Sequence, residues 1–254
     1  MKAVWAIAKL TIREAIRNRI LYLLMGFAVL LISFSWIIGK MTVGDELKIV
    51  KDLCISGIHI FGMFITVFIG ISLIFKEMEK RTIYLVISKP IHRYQFLLGK
   101  FAGLSLLLFG VLFILVAVFY GVLVLRGEYP PRILLAFYTM YLEWLILAGV
   151  AILFSSFSTP LLSTMLTLSA FLMGHLTESL LMLKDRLTST IADSVLTALF
   201  YALPNLELFN IRSQMVHNLP LPDGYLLTAT SYCVLYLGTL IMFASFLFQK
   251  KDFV

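Results

Sequence analysis

Residues 101–125 read FAGLSLLLFGVLFILVAVFYGVLVL, a run that contains no charged side chain. The hydrocarbon core of a bilayer is about 30 Å thick, and a helix needs about 20 apolar residues to cross it. Inside that core every backbone amide must find its hydrogen-bond partner within the protein, which a helix achieves on its own. The run therefore predicts a transmembrane helix.

Similar apolar runs recur along the chain. Of all residues, 61% are hydrophobic and 14% are charged, whereas soluble domains are about 45–50% apolar. The alternating segments of about 10 residues that are typical of membrane β-barrels are not evident. We therefore predict an all-α, polytopic protein with one transmembrane domain over residues 1–254. Its six predicted transmembrane helices are 20–38, 53–75, 101–125, 133–154, 161–183 and 225–248.

Three polar segments flank these runs. Residues 1–19 are basic and amphipathic, which favours a helix lying at the cytoplasmic interface. Residues 76–100 form the longest polar stretch on the same side, and Pro90 disfavours helical geometry at Lys89. A short surface helix followed by a turn is expected there. The proline-punctuated stretch 184–224 predicts an outer loop with short interfacial helices.

The positive charges predict the orientation. With the N-terminus inside, more of the 21 lysines and arginines fall on the cytoplasmic side than outside, as the positive-inside rule requires. Both termini are then cytoplasmic. The net charge of +7 comes from residues that flank the spans, so anionic lipid headgroups, not nucleic acid, are the expected partners. The N-terminus is expected to be retained, because no small-residue cleavage signature follows the first run.

Common catalytic motifs are missing from the sequence. Gly99 and Lys100 lack the upstream spacing of a nucleotide-binding phosphate loop, and the H-E-x-x-H, G-x-S-x-G and C-x-x-C patterns do not occur. Cys54 and Cys233 lie inside predicted spans, where a thiol behaves as a small hydrophobe. No catalytic residue and no cofactor in this chain are expected.

A few ionisable residues nevertheless fall inside the spans. Glu143 lies in the middle of the fourth span, and His175 and Glu178 are three residues apart on one face of the fifth. Such groups are costly in a membrane and usually face a cavity or another helix. They are candidates for a translocation path, with helix-to-helix hydrogen bonding as the alternative. No metal site is predicted, because ligands normally come in threes or fours, and His59 is interpreted as a packed polar residue.

Small residues recur every four positions in the second span, at Gly62, Thr66 and Gly70. This spacing lets another helix approach closely. Packing within the chain is one interpretation, and dimerisation with a second copy is the other. Gly99 and Gly103 have the same spacing at the start of the third span.

Several motifs resemble those of type-2 ABC transporter permeases. KLTIREAIRNR at Lys9–Arg19 looks like the elbow helix of that family, and Pro204 to Glu207 match its P-N-L-x motif after the fifth span. The segment after the second span is similar to its coupling helix, although Arg81 stands where the family more often has glycine. The residues that this resemblance assigns to coupling are Glu77, Glu79, Arg81, Thr82, Ser88, Lys89, Pro90 and Arg93.

The resemblance implies a permease of the plasma (inner) membrane of a prokaryote. Its partners would be two copies of an ATP-binding subunit, which bind ATP and Mg²⁺, a second permease copy and membrane lipids. Export is the expected direction. Among the relatives, the branch that includes the permease of the nitrous oxide reductase maturation system looks nearest.

Two other classes of function stay open. A secondary transporter or channel driven by an ion gradient would favour inverted repeats and broken helices, but no repeat is apparent and Pro130, Pro131 and Pro160 fall at span edges. An intramembrane hydrolase would have to use Glu143, His175 and Glu178. The permease is the preferred interpretation.

Overall fold

A computed structural model describes residues 2–41, 45–79, 93–177, 203–217 and 219–250. Every regular element in these ranges is helical. Eight α-helices and one 3-10 turn, Glu207–Phe209, lie within the described ranges. The α-helices are α1 (Lys2–Ile16), α2 (Arg19–Met41), α3 (Glu46–Glu79), α4 (Arg93–Val124), α5 (Ile133–Phe157), α6 (Pro160–His175), α7 (Arg212–Val216) and α8 (Tyr225–Lys250).

Five of the described helices, α2, α3, α4, α5 and α8, are long and apolar enough to cross a bilayer. Helix α6 has 16 described residues, and the rest of the predicted span 161–183 extends beyond the described residues. The prediction of an all-helical, multi-pass membrane protein is therefore confirmed. The fifth predicted span is described only in part.

Helix α1 packs across the first turns of α4. Ala8, Thr11 and Ala15 are fully buried on its inner face. The two glycines with four-residue spacing allow this close approach, because a Cβ at Gly99 would lie 2.7 Å from the Cβ of Ile7, and one at Gly103 would lie 2.6 Å from the Cβ of Thr11. The outer face of α1 carries exposed apolar side chains at Trp5, Leu10 and Ile16.

Helix α3 begins at Glu46, seven residues before the predicted start at 53. The polar first turns were excluded from the predicted span because they contain charged residues. Those charges are paired with other parts of the chain, which lets the helix extend beyond its apolar run. The pairs are Arg126–Glu46, Lys51–Glu128 and Arg212–Asp52.

Helix α5 is the centre of the bundle. Its side chains are buried along most of its length, against α3 on one side and α8 on another. Trp144 is fully buried, and its indole covers Gly62 of α3. A Cβ at Gly70 would lie 3.1 Å from Leu104 and 3.7 Å from Ala151, while the buried Thr66 donates a hydrogen bond to the Gly62 carbonyl. Within one chain, the small-residue stripe packs α3 against α4 and α5.

Gly62→Ala is expected to destabilise the bundle. The added Cβ would lie 1.7 Å from the Trp144 ring, and a rigid indole in a packed core cannot move aside cheaply. Overpacking of this kind costs about 1–3 kcal/mol. Thermal unfolding in detergent should show a lower midpoint for Gly62→Ala than for wild type. Gly110→Ala is the matched control because nothing lies within 4 Å of its new Cβ, and equal midpoints for the two variants would contradict this packing.

Candidate functional site

Glu143 lies in the middle of α5, and its side chain is only 2% exposed. His59 of α3 faces it, with Nε2 at 2.8 Å from Oε1 and 2.9 Å from Oε2. A carboxylate can only accept hydrogen bonds, so the Nε2–H of His59 donates to Glu143. The buried carboxylate is thereby bound to a group on a neighbouring helix.

His175, the last residue of α6, approaches the same carboxylate from a third helix. Its Nε2 lies 3.6 Å from Glu143 Oε1. Its Nδ1 lies 3.1 Å from the carbonyl oxygen of Phe171, to which it must donate because a carbonyl can only accept. The imidazole rings of His175 and His59 have centroids 5.6 Å apart. Three helices therefore bring their ionisable side chains to one point, and we call His59, Glu143 and His175 the His-Glu-His cluster.

Residues 204–206 pack against the end of α6, next to His175. The backbone N–H of Leu206 donates to the carbonyl of Gly174 at 3.0 Å. A Cβ at Gly174 would lie 2.7 Å from both Leu206 and the Pro204 carbonyl, so only glycine allows this contact. The Pro-Asn-Leu motif thus closes against the end of α6 beside the cluster.

A small cavity adjoins the cluster. His59 and Glu143 line it together with apolar side chains of α3 and α5 and with Asn210 and Arg212 from the connection before α8. Its volume is about 20 Å³, which is room for about one water molecule. The cavity lies on the side of the cluster nearest to the junction of α2 and α3.

Charged residues surround that junction, which we call the α2–α3 end of the bundle. Arg212 binds Asp52 at 3.1 Å and Ser56 Oγ at 2.7 Å, so it ties α7 to α3. The Asp45 carboxylate accepts a hydrogen bond from Lys48, and this bond together with the positive charge of Lys48 lowers the pKa of Asp45. The α2–α3 end is therefore polar, in contrast to the exposed apolar surface along the helices.

The opposite end, where α1 joins α2, is held by a buried lysine. Lys100 of α4 is 2% exposed; its Nζ donates to the Leu73 carbonyl at 3.1 Å and lies 3.5 Å from Glu14 Oε2. Asn18 accepts from the Ile20 N–H at the start of α2 and lies 3.4 Å from Ser72 Oγ. Lys100 and Asn18 thus link α1, α2, α3 and α4 near the end of α3 and the start of α4.

The structure brings Glu143 and His175 together, as members of one cluster. The sequence paired His175 with Glu178, which lies outside the described residues, and treated His59 as a packed polar residue. The signal for His59 was present in the sequence, because an ionisable residue inside a span usually faces a cavity or a partner. The one-dimensional spacing gave no means of pairing it with a residue 84 positions away.

The predicted coupling residues lie mostly beyond the described ranges. Glu77 and Glu79 belong to the last turn of α3, and Arg93 is the first residue of α4. The ends of α3 and α4 are therefore described, and the segment between them is not. The other five predicted coupling residues lie outside the described part: Arg81, Thr82, Ser88, Lys89 and Pro90.

A comparison with protein-family models finds one described as ABC-2 family transporter protein, which matches residues 5–253. The match begins within α1 and continues beyond α8, so it covers all the described membrane-spanning helices. A comparison with curated proteins finds no match.

Proposed function

Since the chain belongs to the ABC-2 family of transporter proteins, and so is a membrane subunit of an ABC transporter, we propose that it moves its substrate using ATP hydrolysed by a separate subunit. The observation that carries the proposal is the family match over nearly the whole chain. Five long apolar helices support it, and the sequence has no phosphate-binding loop with which the chain could use ATP by itself.

The proposed contact with the ATP-binding subunit is the segment between α3 and α4, together with Glu77 and Glu79 at the end of α3 and Arg93 at the start of α4. A permease without a nucleotide site needs a rigid element that passes the motion of its partner to the membrane helices. Lys100 supports this assignment, because it links α4 to the Leu73 carbonyl of α3 and to Glu14 of α1 next to that segment. A movement of the segment would then be transmitted to α1, α3 and α4 together.

The proposed contact with cargo is the region around Glu143 and His175, with Glu178 as the third candidate. Charged groups at membrane depth are costly and are usually kept for a pathway or a relay. The adjoining cavity supports the proposal, because it connects the cluster with the polar residues Asn210 and Arg212.

A second permease copy would complete the path, and export is the proposed direction. We also propose that the chain is similar to the permease of the nitrous oxide reductase maturation system.

We propose that both termini face the cytoplasm of a prokaryote, so that the α2–α3 end faces outward. Cysteine labelling tests this orientation in a background without the buried Cys54 and Cys233. Lys48→Cys, at an exposed position, should react with an impermeant thiol reagent in intact cells. Lys9→Cys, also exposed, should react only after the membrane is opened. The reverse pattern would overturn the orientation.

Co-expression with an ATP-binding subunit tests the proposed function. The tagged chain should retain that subunit through affinity purification in mild detergent, and the complex should hydrolyse ATP. A secondary transporter would instead transport in vesicles driven by an ion gradient alone, with no ATPase attached. That second result would favour the rival function.

A further inference from the structure

We infer that the His-Glu-His cluster is a binding site for one divalent transition-metal ion, with Zn²⁺ as the representative ion. The ligands would be Nε2 of His59, a carboxylate oxygen of Glu143 and Nε2 of His175. On metal binding, the proton that His59 Nε2 shares with Glu143 in the metal-free chain would move to Nδ1 of the same ring or be released. These three ligand atoms all lie within 4.8 Å of one another. The sequence predicted no metal site, because too few ligands were recognised there. The structure adds His59 to Glu143 and His175, so three candidate ligands now lie together.

The distances are close to those of a zinc site. Zinc binds imidazole nitrogen and carboxylate oxygen at about 2.0–2.2 Å, so neighbouring ligand atoms of a tetrahedral site lie roughly 3.4 Å apart. Glu143 Oε1 lies 3.6 Å from His175 Nε2 and 2.8 Å from His59 Nε2. Side-chain movements of about 1 Å would place all three at ligand distance from one ion.

The hydrogen bonding of His175 supports the inference independently. Its Nε2 is buried and has no hydrogen-bond partner among the described residues. Nδ1 donates to the Phe171 carbonyl, so in the tautomer with one ring proton Nε2 is the free ring nitrogen, and it lies 3.6 Å from Glu143 Oε1. A backbone carbonyl on the second ring nitrogen is the usual arrangement for a metal-binding histidine, because it fixes the tautomer and the ring orientation.

The chemistry of the ligand set selects the class of ion. Two imidazoles and one carboxylate suit Zn²⁺ and similar divalent transition metals, whereas Mg²⁺ and Ca²⁺ prefer oxygen ligands alone. The single carboxylate charge offsets part of the charge of the ion in this buried position. The cavity beside Glu143 and His59 has room for about one water, which would complete four-coordination.

A bound ion would join α3, α5 and α6 at one point. The inference goes beyond the transport proposal and does not rest on it, since binding is measured on the full chain without an ATPase. Failure of metal binding therefore leaves the transport proposal standing, and failure of ATPase association leaves the metal site standing.

The test is Zn²⁺ binding to the full chain, purified in detergent with its affinity tag removed. Wild type is expected to retain one ion per chain after dialysis, and Co²⁺ should give the visible absorption of a tetrahedral nitrogen and oxygen site. His59→Gln and His175→Gln keep a polar side chain and should weaken binding by at least about tenfold. His217→Ala removes an exposed histidine and should bind like wild type.

Two results would overturn the inference. One is wild-type protein that retains no Zn²⁺ and gives no tetrahedral Co²⁺ spectrum, which would leave the cluster as a hydrogen-bonded contact between helices. The other is equal retention by wild type and by both glutamine variants, which would place the ion elsewhere. The Co²⁺ spectrum requires no variant, so it decides the matter even where a variant fails to fold.

Discussion

Glu143→Gln should lower the ATPase activity of the assembled transporter in lipid by about tenfold. A tenfold change corresponds to about 1.4 kcal/mol, which is within the range of coupling free energies between two sites. The folded yield should stay close to that of wild type. The amide keeps the volume of the side chain and can still accept a hydrogen bond from His59. It removes the negative charge, which is costly at a buried position in a membrane and is usually kept there for a function. ATPase rate per assembled complex and yield after size-exclusion chromatography measure the two effects separately.

Glu128→Gln is the matched control for this prediction. It makes the same chemical change in a residue that pairs with Lys51 and is 35% exposed, where an ion pair contributes about 0–1 kcal/mol. Both activity and yield should stay near wild type. A Glu143→Gln protein with poor yield but normal activity per complex would show that Glu143 serves packing alone.

Substitutions at the proposed contact with the ATP-binding subunit, two of which reverse a charge, are expected to uncouple the transporter. Glu79→Arg, Arg81→Glu and Thr82→Trp should each leave the chain in the membrane, because the sequence predicts these positions in the polar cytoplasmic segment 76–100. They should detach the ATP-binding subunit or abolish its substrate-stimulated activity. Single exposed ion pairs are worth only about 0–1 kcal/mol, so the bulky tryptophan at the predicted docking surface should have the largest effect.

Arg132→Glu serves as the control for these reversals. Arg132 is exposed and precedes α5 at the α2–α3 end, away from the proposed contact. It should retain both the partner and its activity. Full coupling in all three variants of the segment would mean that the partner docks elsewhere.

The apolar runs predicted the helical membrane fold because each run alone satisfies the length and hydrogen-bonding requirements of a bilayer. The predicted end of a helix was wrong where charged residues form ion pairs with distant parts of the chain. Helix α3 extends back to Glu46, whose carboxylate lies 3.1 Å from Arg126. A rule based on local hydropathy could not include that turn, since the compensating charge is 80 residues away.

The candidate site was predictable only in part for the same reason. Glu143 and His175 stood out because ionisable residues are rare in spans. Their partner His59 is on a different helix, and only the crossing of α3 and α5 at Gly62 and Trp144 places it beside Glu143. Three-dimensional packing therefore created a cluster that sequence spacing could not indicate.

The intact mass of the complex tests the central claim most directly. Native mass spectrometry of the chain, co-purified with its ATP-binding subunit, is predicted to show two permeases and two ATP-binding subunits, since a path between two permease copies is proposed. The chain by itself has a mass of 28.8 kDa. A particle with that chain mass, active in gradient-driven transport and free of any ATP-binding subunit, would contradict the account.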